Sequence, residues 1–116
     1  MLQELIEEWS AQYGVDHTKI QSSFSNLGKH LLGVTSYPTR NPRTAKIEVH
    51  EFFEDYPLAA KAVLWHEYCH AEKWLKDGKT DGHGSAWLGR CWRKPLLTIL
   101  DMFYTQILFI DYKLKN

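Results

Sequence analysis

The chain has 116 residues, enough for one domain spanning 1–116 with a single core. Its hydrophobic residues make up 44%, including five Trp, six Tyr and five Phe. That aromatic load excludes a disordered chain. Fourteen basic and fourteen acidic residues leave no net charge, which excludes the global electrostatic pull of a dedicated nucleic-acid binder.

Leu2, Leu5, Ile6, Trp9 and Tyr13 recur at helical spacing with Glu4, Glu7 and Glu8 opposite. This predicts an amphipathic first helix that Gly14 ends. The opening MLQELIEEWS is acidic and does not read as a secretory signal. Over residues 19–26, Ile20, Ser22 and Phe24 alternate with polar neighbours, a strand pattern, and Asn26-Leu27-Gly28 is a turn signal. Leu32 and Val34 share one face of a second strand that is expected to end before Pro38. YPTRNPR, residues 37–43, holds two prolines and reads as an exposed loop. KIEVHEF, residues 46–52, alternates through Ile47 and Val49 and is the most strand-like segment. Three short strands in succession predict an antiparallel meander. The basic clusters Arg40, Arg43, Lys46 and Arg90, Arg93, Lys94 read as solvated surface.

Pro57 is tolerated at a first helical position and opens a helical pattern over residues 58–76, with Leu64, Tyr68, Ala71 and Leu75 on one stripe. DGKTDGHG, residues 77–84, contains three glycines and must be a loop. A helix over 85–92 follows, and Pro95 separates it from a last helix over 96–112. The apolar stretch of residues 96–110 is broken by Asp101 and Gln106, and no run reaches the ~20 residues that span a bilayer. Cys69 and Cys91 make neither a disulfide framework nor a Cys-x-x-Cys zinc ribbon. A reduced, cytoplasmic setting is expected.

The chemistry concentrates in His66-Glu67-Tyr68-Cys69-His70. Residues four apart on a helix share a face, so both imidazoles can reach one metal ion. Glu67 is rotated about 100° from His66 and sits beside the metal, where it can accept a proton from water. A catalytic zinc site takes three protein ligands and keeps one open position. His83, between Gly82 and Gly84, is the leading third ligand because flanking glycines let the backbone turn tightly. Asp77, Asp81, Glu72 and His50 stand as alternatives. His17 and His30 read as ordinary histidines outside the site, and Trp65 and Tyr68 as core. Asp101, Asp77 and Asp81 are candidates to orient the ligating rings. Tyr104, Tyr112 and Arg90 are candidate oxyanion donors.

HEYCHAEKWLKDGKTDGHGSAW resembles the active-site segment of the SprT-like zinc metallopeptidases, the group that includes Spartan. Their His-Glu-x-x-His helix is matched by His66, Glu67 and His70. Their following His-Gly-x-x-aromatic turn is matched by His83, Gly84 and Trp87. TAKIEVHEFF is similar to the strands that precede the motif in that family. The resemblance implies an α+β, zincin-like core whose short antiparallel sheet of about three strands packs on the metal-bearing helix. It implies one catalytic Zn²⁺ held by His66, His70 and His83, with Glu67 as catalytic acid/base. The implied activity is endopeptidase hydrolysis of protein or peptide substrates by metal-activated water. DNA-associated substrates follow from the resemblance alone. Many members continue into a four-cysteine zinc ribbon or DNA-binding tail, whereas this chain ends in PLLTILDMFYTQILFIDYKLKN. The strand near residues 47–52 is expected to form an edge that holds substrate as an added strand. Two other readings stand beside this one: an inactive zinc-binding or interaction module, and a zincin of another group with Asp77 or Asp81 as its third ligand.

Overall fold

The computed structural model describes residues 1–80 and 82–116, so the candidate ligand Asp81 lies outside the described residues. Helix α1 (Leu2–Tyr13) buries Leu2, Ile6 and Trp9, the stripe its period creates. Gly14 ends it at φ 70°, a left-handed conformation that glycine adopts without steric cost. A short 3-10 turn at His17–Lys19 leads into strands β1 (Ile20–Ser25), β2 (Gly33–Arg40) and β3 (Arg43–His50).

The three strands are those expected, but the sheet is mixed and ordered β1-β3-β2. β3 is antiparallel to β2 and parallel to β1, with Ile20 opposite Ala45 and Phe24 opposite Val49. The meander is therefore corrected, and so is the edge position expected for residues 47–52. The physical reason is burial. Ala45, Ile47 and Val49 are at most 1% exposed, and the centre of the sheet removes the most apolar strand from water most completely. β2 also runs on through Pro38 to Arg40, where a loop was expected. Pro38 sits in an edge strand, inside the irregular stretch of its pairing with β3, the setting in which a strand tolerates proline. The pairing is irregular between Ser36 and Thr39, and the Asn41–Pro42 peptide in the β2–β3 turn is cis.

A 3-10 turn at Glu51–Asp55 precedes α2 (Pro57–Asp77). Pro57 starts this helix, and Gly78 at φ 68° ends it by donating its N–H to the Trp74 carbonyl. α2 is the spine of the fold, touching β2, β3 and each of the other helices. Trp9 meets Trp65 and Tyr68 edge-on, at 5.0 and 5.5 Å between ring centroids, which packs α1 against α2. α3 (Ser85–Cys91) is tied to α2 by the Trp65 indole N–H, which donates to the Cys91 carbonyl at 3.1 Å. The expected last helix is present as a π-helical turn at Leu97–Asp101 that runs into α4 (Met102–Lys115). Among the described residues no helix is long and apolar enough to cross a membrane.

Candidate metal centre

His66 and His70 lie one turn apart on α2, their ring centroids 5.3 Å from each other. The loop after α2 carries His83 back, so that its ring centroid is 5.1 Å from that of His66 and 4.8 Å from that of His70. The Nε2 atoms of His66 and His83 are 3.1 Å apart. One ligand nitrogen from each of the three lies within 4.8 Å of the others. Imidazole nitrogens bond zinc at about 2.0–2.1 Å, so three on one tetrahedral ion are roughly 3.4 Å apart. The trio meets that requirement with small side-chain movements, and three imidazoles are a donor set that suits zinc. Among the described residues it is the only cluster of this kind.

Two features hold His83 in place: Lys73, which the sequence did not single out, and Trp87, the aromatic residue of the turn that the resemblance marked. Lys73 is 2% exposed, and its Nζ donates to the Gly82 carbonyl at 2.9 Å, which fastens the loop to α2. Trp87 stands against all three imidazoles at 4.6–5.3 Å, and its indole N–H donates to the His66 carbonyl at 3.2 Å. Of the flanking glycines only Gly82, at φ 82°, uses glycine's freedom. Gly84 has φ −73°, open to any residue, so its expected role in the turn is corrected.

Burial pushes the His66 ring down to about 4, with His83 adding to the effect. Burial also pushes His70 down to about 4, assisted by His66, His83 and Lys73. Both rings are therefore neutral near pH 7, with a lone pair free for a metal.

Glu67 points toward β2 and is 8% exposed. Burial pushes its carboxyl up to about 7, against the opposing pull of a Thr35 hydrogen bond. Thr35 Oγ1 donates to Glu67 Oε1 at 2.8 Å. This contact depends on Gly33. A Cβ there would lie 2.6 Å from Val63 Cγ1 and 3.2 Å from Glu67 Cγ, so only glycine lets β2 come this close to α2. Tyr37, on the same strand face, has its phenol pushed up by burial, with Glu67 adding to the shift. Gly33, Thr35 and Tyr37 line a cleft of about 480 Å³ together with Glu67 and the three histidines. Their spacing of two was visible in the sequence, but the expected loop from Tyr37 onward obscured it.

His30 also lines this cleft but is not one of the three clustered histidines. His17 stays outside, 3.8 Å from Glu7. His50 is buried elsewhere: its Nδ1 accepts the Phe52 N–H, so Nε2 carries the proton and donates to the Gly28 carbonyl at 2.7 Å. Glu72 is 1% exposed and lies among Arg93 at 2.5 Å, Lys76 at 3.1 Å and Arg90 at 3.6 Å. Asp77 pairs with Arg90 at 3.1 Å. These partners account for Glu72, Asp77 and His50 without a metal, and they engage Arg90 and Arg93 of the second basic cluster. Asp101, Tyr104, Tyr112 and Arg90 are not among the residues that line the cleft. Tyr112 stacks on Phe109 instead. Trp65, Tyr68 and both cysteines are buried.

The model of one family, described as the SprT-like family, matches residues 2–94. No curated protein and no solved structure matches the chain.

Proposed function

The chain belongs to the SprT-like family, and from that premise we propose that it is a zinc-dependent metallopeptidase that hydrolyses peptide bonds in protein substrates. The observation that carries the reading is the meeting of three imidazoles beside a buried carboxyl in one cleft. His66, His70 and His83 would hold the ion, which supplies Lewis acidity toward water and the scissile carbonyl.

The remaining chemistry falls to the chain. Glu67 takes the proton of the attacking water and returns it to the leaving amine, a role suited to a carboxyl that titrates near 7. Thr35 orients that carboxyl group through its hydrogen bond to Oε1. Substrate binding by strand addition moves from β3 to β2. β3 has neighbours on both sides, whereas β2 is an edge strand and lines the cleft.

Metal analysis paired with cleavage of an unfolded protein tests the reading. The wild-type chain should bind one zinc and cleave. Glu67→Gln should keep the zinc and lose cleavage by about 10²-fold or more, and His83→Ala should lose the zinc. Cleavage retained in Glu67→Gln sinks the proton-transfer role. Zinc retained in His83→Ala sinks the ligand assignment. Zinc bound by a wild-type chain that cleaves nothing assigns it as an inactive binding module.

A further inference from the structure

The C-terminal segment carries a second pattern that the fold leaves uncovered. Leu96, Leu100, Phe103, Ile107, Ile110 and Leu114 follow at intervals of four, three, four, three and four. Within α4, from Phe103 to Leu114, that alternation is the heptad seam of a coiled coil, and Leu96 and Leu100 precede it at the π-helical turn. In the full pattern, Leu100, Ile107 and Leu114 hold one of the two apolar positions, and Leu96, Phe103 and Ile110 the other. All six face outward, at 66%, 60%, 67%, 53%, 53% and 81% exposure in chain order. The other side of the segment is already in use: Leu97, Thr105 and Phe109 are buried. The segment is thus apolar on two sides, with one covered. Its seam lies wholly beyond the residues 2–94 that the family shares.

We propose that this face is an interface with a second copy of the chain, the C-terminal helical segments of residues 96–115 pairing along it. The intervals read the same from either end, so a two-fold arrangement sets an apolar side chain opposite every position, as a self-complementary interface requires. The area is sufficient. Complete covering of these six residues, 53–81% exposed, would bury at most roughly 1,400 Å² over two copies, which reaches the roughly 1,200–2,000 Å² of stable specific interfaces. A monomer rarely exposes so large a contiguous apolar patch.

The charges favour a protein partner over a lipid surface. Residues 96–116 contain Asp101, Asp111, Lys113 and Lys115, two of each sign, and Lys115 already pairs with Asp111 at 3.1 Å. A helix lying on an anionic bilayer carries an excess of Lys and Arg on its polar face.

Sedimentation equilibrium of the full chain, over about 1–100 µM to read micromolar dissociation, tests the proposal. The expected result is a species of twice the chain mass that dissociates on dilution. Phe103→Glu with Ile107→Glu should abolish it while far-UV circular dichroism and zinc content stay unchanged. Should that pair fail to fold, Leu100→Gln with Leu114→Gln is read in the same way. A wild-type chain that stays monomeric throughout overturns the proposal, as does a dimer that persists in the folded variants. A monomer that co-sediments with phosphatidylglycerol vesicles also overturns it and assigns the face to lipid.

Discussion

Glu67 is drawn in two directions, and the balance is open to measurement. Burial holds its carboxyl up near 7, while the Thr35 hydroxyl favours the charged form and draws it down. Thr35→Val removes only the second influence, so the carboxyl should rise further. A base must be deprotonated to act, so the acid limb of the kcat/KM profile should move to higher pH. Activity on that limb should fall about tenfold for each unit of displacement. An unmoved limb would mean that Thr35 does not tune the base. Glu67 itself was legible in the sequence, because its relation to His66 and His70 is set within one helical turn. Thr35 was not, because it lies 32 positions away and meets Glu67 only through packing.

At the scale of elements, the approach of β2 to α2 rests on the missing side chain of Gly33. In Gly33→Ala the new Cβ meets Val63 Cγ1 at 2.6 Å and the Glu48 carbonyl at 3.1 Å. One of those neighbours is backbone, so the strand must shift. Stability should drop by about 1–3 kcal/mol, the usual cost of overpacking, read as a lower urea midpoint. Cleavage should fall as well, because Thr35 moves with the strand. A variant as stable and active as the parent would show that β2 has slack. Pro57 and Gly78 marked the ends of α2 in advance, since helix boundaries follow local backbone preference. Strand order did not follow from such preferences, because it depends on which strand loses most apolar surface when all three assemble.

The site also imposes a pH dependence on the whole molecule. In the metal-free protein, His66 and His70 titrate at about 4, against a usual value of 6.5. The unfolded chain therefore binds more protons between those values, and both rings make stability rise with pH there. Glu67 acts in the opposite sense, since its carboxyl is raised from 4.5 to about 7 and favours the fold at lower pH. With two groups against one, the melting temperature of chelator-treated protein should climb from about pH 4.5 to 6.5. His70→Asn should flatten the climb. A melting temperature that falls over this range would contradict the burial of the two rings.

The sequence by itself determined the α2 helix, its His66-Glu67-x-x-His70 face, the presence of three strands and the glycine-bearing turn before His83. Each of these is written in neighbours one turn or one pleat apart, where backbone geometry acts locally. Only the tertiary structure decided that β3 is central and β2 faces the cleft. It also decided that Glu72, Asp77 and His50 are engaged elsewhere, and that Lys73 and Trp87 hold His83 beside His66 and His70. It left the Leu96-to-Leu114 stripe uncovered as well. Those outcomes come from competition among distant side chains for burial and for charge partners, which no local pattern records.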